Sequence, residues 1–89
     1  MNTRKIKLAL TAGLINKNTS SNALQAVKEL MNNFADDAGR FLGLIPGRAM
    51  KLGGQSVRQS YVFRYENCTL NVDLVSHPHR QTIQRFHLS

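Results

Sequence analysis

The 89 residues predict an α+β fold: an N-terminal strand, one or two helices, then an antiparallel β-hairpin or small sheet with a short C-terminal tail, in one domain over residues 1–89. Three observations carry this. Apolar residues recur with a helical period in the middle of the chain. They alternate with polar residues in the last third. Gly and Pro punctuate the stretch between. A chain of this length forms one domain and has no room for a second. Its apolar content of 42% supplies a modest core and separates it from disordered sequences.

Residues 4–12 alternate Ile6, Leu8, Leu10 and Ala12 with Lys5, Lys7, Ala9 and Thr11, the period of a half-buried strand. Ile6, Leu10 and Leu14 also fit helical spacing. Asn16, Asn18 and Thr19 read as a loop. Ser20 or Ser21 caps the helix that follows, whose apolar stripe is Leu24, Val27, Leu30, Met31 and Phe34. Asp36, Asp37 and Gly39 mark its end, and Phe41, Leu42 and Leu44 give residues 40–45 a short second helix. Pro46-Gly47 then breaks the chain, and Gly53-Gly54 is a further flexible point.

In the last third, Val57, Gln59, Tyr61, Phe63 and Tyr65 alternate with Arg58, Ser60, Val62 and Arg64. After a turn near Glu66-Asn67, Leu70, Val72 and Leu74 alternate with Asn71 and Asp73. Two alternating runs around a short polar turn signal a hairpin. His77-Pro78 ends its second strand, and residues 80–87 form a short helical tail. The helices are expected to pack on one face of the sheet.

Charge points to a partner. Twelve Lys and Arg face five Asp and Glu, a net charge of +7, and such an excess repels itself unless an anion meets it. The cations are also segregated. Residues 40–65 carry Arg40, Arg48, Lys51, Arg58 and Arg64 with no acid, while Glu29, Asp36 and Asp37 gather around the central helix. A basic loop feeding a basic strand face suits a phosphate backbone, RNA in preference to DNA. Arg58 and Arg64 share one strand face; Tyr61, Phe63 and Tyr65 share the other and read as core, because a core this small needs large side chains. The nucleic-acid-binding candidates are Arg48, Lys51, Arg58, Arg64, Arg80 and Arg85.

The densest chemistry lies at Ser76-His77-Pro78-His79-Arg80, followed by Arg85, Phe86 and His87. Cleavage of RNA by its own 2′-hydroxyl needs a base, an acid and cations on the phosphate. Histidine exchanges protons near neutral pH and arginine binds two phosphate oxygens while staying charged. His77, His79 and Arg80 are therefore the catalytic candidates, against the alternative of an exposed polar tail. Pro78 separates two histidines whose side chains diverge, and no carboxylate pair stands near, so no metal site is expected. There is no P-loop, no Gly-x-Gly-x-x-Gly and no nucleophile elbow, and no cofactor is expected. Cys68 alone excludes an intramolecular disulfide and fits a reducing compartment. No run reaches transmembrane length, and no helix joins a basic face to a large apolar one. The expected location is cytoplasmic, with no membrane partner.

Lys51-Leu52-Gly53-Gly54 before the sheet, Tyr61-Val62-Phe63-Arg64-Tyr65 as a central strand, Leu70 to Val75 as the next, and His79-Arg80 followed by Phe86 together resemble the RelE/HigB superfamily of ribonuclease toxins from toxin–antitoxin modules. The resemblance covers the C-terminal half. It implies a helical hairpin on an antiparallel sheet, endoribonuclease activity, an antitoxin partner, and a phosphate-stabilising role for Arg80. Phe86 stands where many members have Tyr and has no proton to exchange. Three function classes stay open: an RNA-binding protein of the toxin type; a non-catalytic nucleic-acid-binding regulator; and a small inhibitor docking on an acidic protein. A short exposed sheet edge also invites homodimerisation.

Overall fold

The computed structural model describes residues 3–13, 18–19, 23–78 and 80–89. Helix α1 (Thr3–Gly13), the short strand β1 (Asn18–Thr19), and helices α2 (Ala23–Asn32) and α3 (Ala35–Ala38) precede four long strands: β2 (Phe41–Gly53), β3 (Ser56–Tyr65), β4 (Thr69–His77) and β5 (Arg80–Leu88). The strands lie in the order β1-β5-β4-β3-β2, with every neighbouring pair antiparallel. The fold is α+β as expected, and the hairpin or small sheet is a sheet of four long antiparallel strands with the short β1 at one edge.

The N-terminal segment is a helix where the alternation predicted a strand. Of its apolar residues only Ile6 and Leu10 are buried, one turn apart, and Leu8 is 64% exposed. Leu8 is a surface residue whose position imitates a period of two. Lys, Leu and Ala all favour a helix intrinsically. In α2 the buried residues Ala23, Val27 and Met31 recur every four positions, with Leu24, Leu30 and Phe34 half-buried beside them. The amide of Ala23 donates to Gln81 Oε1 at 2.8 Å, so β5 satisfies one of the helix's unpaired terminal donors. Ser20 and Ser21, expected to cap α2, lie outside the described residues, as do Leu14 and Asn16. Asn18 and Thr19, read as loop, pair with Thr82 and Gln81.

Residues 41–45 open a strand and not the expected second helix. β2 sets 13 residues against the 10 of β3. Three register shifts absorb the surplus, between Phe41 and Gly43, Pro46 and Ala49, and Lys51 and Gly53. Pro46-Gly47 therefore bulges an edge strand, where proline is tolerated, without breaking the chain. Gly53 pairs with Ser56 across the two-residue loop Gly54-Gln55; Gly54 at φ 58° supplies the left-handed backbone that so tight a hairpin needs.

Residues 80–88 are strand β5 and not a helical tail. A register shift leaves Gln84 unpaired between Asp73↔Arg85 and Leu74↔Ile83. The shift restores Phe86 and Leu88 to the face of Ile83, and this is why Ile83 and Phe86 sit three apart, as in a helix. The core joins Ile6, Leu10, Val27 and Met31 to Phe63, Leu70, Val72, Leu74, Ile83 and Leu88 on one sheet face.

Gly39 closes the junction between α3 and the sheet. The amides of Glu66 and Asn67 donate to the carbonyls of Arg40 and Ala38, Glu66 Oε1 accepts from the Arg40 amide at 2.6 Å, and Asn67 Nδ2 donates to the Asp37 carbonyl. Gly39 takes φ 83°, ψ −167°, a region essentially reserved for glycine, and a Cβ there would lie 2.7 Å from Glu66 Cβ. Gly39→Ala is expected to cost about 2 kcal/mol or more in urea unfolding.

The Tyr65 ring is buried, and its hydroxyl has no hydrogen-bond partner among the described residues. Burial, with a smaller contribution from Cys68, pushes its phenol up to about 12. The unfolded phenol ionises near 10, so the neutral ring's contribution is complete below that pH and is lost as pH climbs toward 12. Tyr65→Phe is expected to keep or raise stability at pH 7, by up to about 1 kcal/mol. It is also expected to reduce the alkaline decline, followed by circular dichroism during denaturation at stepped pH.

Candidate nucleic-acid interface

Residues opposite each other in an antiparallel ladder point to the same face. With Phe63, Leu70, Val72 and Leu74 under the helices, the registers Arg58↔Val75, Ser60↔Asp73, Val62↔Asn71 and Arg64↔Thr69 turn that second set to the other face, uncovered by any described helix although Val75 on it is buried. β5 adds Arg80, Thr82, Arg85 and His87, which pair with His77, Val75, Asp73 and Asn71. Arg85 reaches this face only because the sheet bulges at Gln84; strict alternation from Ile83 would send it inward. Among the described strand residues, the uncovered face thus gathers four arginines (Arg58, Arg64, Arg80, Arg85) and two histidines (His77, His87) around one acid, Asp73.

Asp73 is the electrostatic centre. Arg85 Nε donates to its Oδ2 at 2.8 Å and Ser60 Oγ to its Oδ1 at 2.9 Å. The Arg85 hydrogen bond, aided by Ser60 and by the charges of Arg85 and Arg58, holds the carboxyl below the usual carboxylate range against the opposing effect of burial. The guanidinium of Arg85 is 77% exposed. Arg58 is half-buried, with Nη2 lying 3.5 Å from Met50 Sδ, whereas Arg64 and Arg80 are exposed. A shallow cavity of about 390 Å³ opens beside this centre, lined by Asn71, Asp73, Arg85, Phe86 and His87.

The expected catalytic residues converge only in part. His77 and Arg80 are register partners, and His77 Nδ1 shares a 2.8 Å hydrogen bond with Ser56 Oγ. His79 lies outside the described residues. His87 pairs with Asn71, six positions along β4 from His77, a separation of roughly 20 Å. These two histidines therefore serve different ends of the sheet. Arg80 and Phe86, linked by the family resemblance, fall on opposite faces, at the levels of His77 and Val72.

Of the six binding candidates, Arg58, Arg64, Arg80 and Arg85 share the uncovered face. Lys51 pairs with Val57 on the helix side, beyond the reach of the helices, and Arg48 is exposed in the bulge between Pro46 and Ala49. Ser56, Ser60, Asn71 and Asp73 escaped the sequence-based candidate list, although Asp73 sits in the polar phase of a strand whose other phase is Leu70, Val72 and Leu74. Among the described residues there is no cluster of three metal-ligating side chains and no helix long and apolar enough to cross a membrane.

The lowered pKa of Asp73 makes its contribution to stability complete above about pH 4, the unfolded value, and lost as pH falls through the folded one. Asp73→Asn is expected to flatten that acid limb in pH-stepped urea titrations. At neutral pH, because the Arg85 partner is largely exposed, it should cost about 1 kcal/mol.

No family model matches this chain, and no curated protein or solved structure emerges as its relative.

Proposed function

We propose that this is a small cytoplasmic RNA-binding protein that lays a phosphate backbone across the uncovered face of its sheet. The observation that carries the reading is the phase of β3, β4 and β5, which aims Arg58, Arg64, Arg80 and Arg85 to one side around a single carboxylate. Arg85 is paired with Asp73, whereas Arg58, Arg64 and Arg80 form no ion pair with a described carboxylate. They are the cations free to displace counterions from a polyanion. Ser60, Thr69, Asn71 and Thr82 lie between them and supply hydroxyl and amide groups suited to a ribose 2′-hydroxyl. Phe63 and Tyr65 are packed away on the helix face, so the grip is on backbone and not on stacked bases. The buried free thiol of Cys68 accords with a reducing cytoplasm.

Cleavage, the toxin-type activity that the RelE/HigB resemblance implies, is a second reading favoured by one observation. His77, held by Ser56, stands in register with Arg80. In that reading Arg80 steadies the phosphate and His77 moves the proton. Binding is preferred because, among the described residues, no second proton-transfer group stands beside His77, His87 lying at the other end of the strand.

Labelled single-stranded RNA, structured RNA and DNA of matched sequence would be titrated over a range of salt, with mobility shift and products resolved on gels. Affinity for RNA is expected to exceed that for DNA and to fall steeply with salt. Arg64→Ala combined with Arg80→Ala should lower the slope of log affinity against log salt by roughly 0.7 per arginine for a single strand. Salt-independent binding, or an unchanged slope in the double variant, would refute the proposal. Cleavage abolished by both Arg80→Ala and His77→Ala would establish the second reading.

A further inference from the structure

Strand β2 is an edge strand with the side chains of an interior one. Leu42, Leu44, Ile45, Met50 and Leu52 are 40–55% exposed. Leu44 pairs with Phe63 on the helix side and Ile45 with Val62 on the uncovered side, so the strand is apolar on both faces, the pattern of strands enclosed in a sheet. Only its start is anchored: the Phe41 ring lies 5.4 Å from that of Tyr65 and 6.4 Å from that of Phe63, with Lys28 Nζ 4.7 Å above it. β3 is the one strand beside β2 among the described residues, and the outer rank of backbone donors and acceptors stands unpaired. Three bulges and Pro46 divide that edge into two regular stretches, 43–45 and 49–51.

Charge indicates what covers this edge. From residue 40 to residue 65 the chain carries Arg40, Arg48, Lys51, Arg58 and Arg64 and no acid. A second copy pairing antiparallel across residues 48–51 would set Arg48 of each copy opposite Lys51 of the other, which is destabilising. A nucleic acid would meet the cations and leave Leu42, Leu44, Ile45, Met50 and Leu52 in water. We infer that the outer edge of β2 receives an acidic, apolar, extended segment of another protein as an added strand. Main-chain hydrogen bonds supply the pairing, successive apolar side chains of the partner cover Leu44 on one face and Ile45 on the other, and its carboxylates meet Arg48 and Lys51. This explains why those two cations stand apart from the arginines of the sheet face. The inference does not rest on RNA binding.

The test uses fluorescence anisotropy with a labelled synthetic peptide of about ten residues, one half rich in valine and the other in glutamate, enough to span the edge. Its controls are the same peptide with lysine for glutamate and one N-methylated on alternate amides. The glutamate peptide is expected to bind in a salt-sensitive manner, and each control to bind about tenfold or more weakly. Amide hydrogen exchange should slow across 41–53. Leu44→Ser with Ile45→Ser should weaken peptide binding and leave the RNA mobility shift unchanged, so that one surface can fail without the other. No binding, equal binding of the glutamate and lysine peptides, or protection mapping to β4 and β5 would overturn the inference. So would sedimentation showing the free protein as a dimer with β2 amides protected.

Discussion

Helices α1 and α2 press Ile6, Leu10, Ala23, Val27 and Met31 onto Phe63, Leu70, Val72, Leu74 and Ile83, and the rest of the molecule is arranged by that one contact layer. Burying a large apolar side chain contributes about 1.5–3 kcal/mol, while a domain of this kind is stable by about 5–15 kcal/mol in total. Each large side chain of the layer therefore carries a sizeable share of the total. Because side chains alternate along a strand, the sealed face determines the open one. With Leu70, Val72 and Leu74 held inward, Asn71, Asp73 and His77 face out, and their partners on β3 and β5 follow. The cationic face is thus a geometric consequence of the apolar one.

The fold class was legible in the sequence where one period dominates. The stripe through Val27 and Met31 marks α2, and the alternation from Val57 to Tyr65 and from Leu70 to Leu74 marks β3 and β4. Besides the two-residue β1, three elements were hidden, each for a physical reason. In α1, Leu8 completes an alternation that burial does not use. In β5, the bulge at Gln84 spaces Ile83 and Phe86 as a helix would. In β2, Pro46-Gly47 resembles a break, but an edge strand accommodates it in a bulge. The same errors limited the site. Arg58 and Arg64 could be assigned to one face from β3 alone, whereas Arg80 and Arg85 join them only if residues 80–88 are a strand with that bulge. The role of Asp73 needs both Ser60 and Arg85 beside it, and these come from two different strands.

The twelve cations do not form one undifferentiated basic surface. Arg58, Arg64, Arg80 and Arg85 share the flat uncovered face, while Arg48 and Lys51 stand on the bulged edge among exposed leucines. A flat cationic face with interspersed hydroxyl groups suits a flexible polyanion. An apolar edge with cations at its flank suits another backbone. Net charge alone merges these two chemistries, and strand register separates them.

The order of elements also shapes how the chain is made. The helices emerge from the ribosome first, carrying apolar stripes with nothing yet to cover. Their surface is completed last, when Ile83 and Leu88 enter β5 and Ser89 exchanges two backbone hydrogen bonds with Thr69. Until β5 is in place, β4 lacks its second neighbour and Gln81 cannot hold the start of α2. The helical segment therefore stays uncovered until β5 joins the sheet. That closure joins residues far apart in sequence, Asn18 with Thr82 and Ala23 with Gln81, the kind of contact that slows folding.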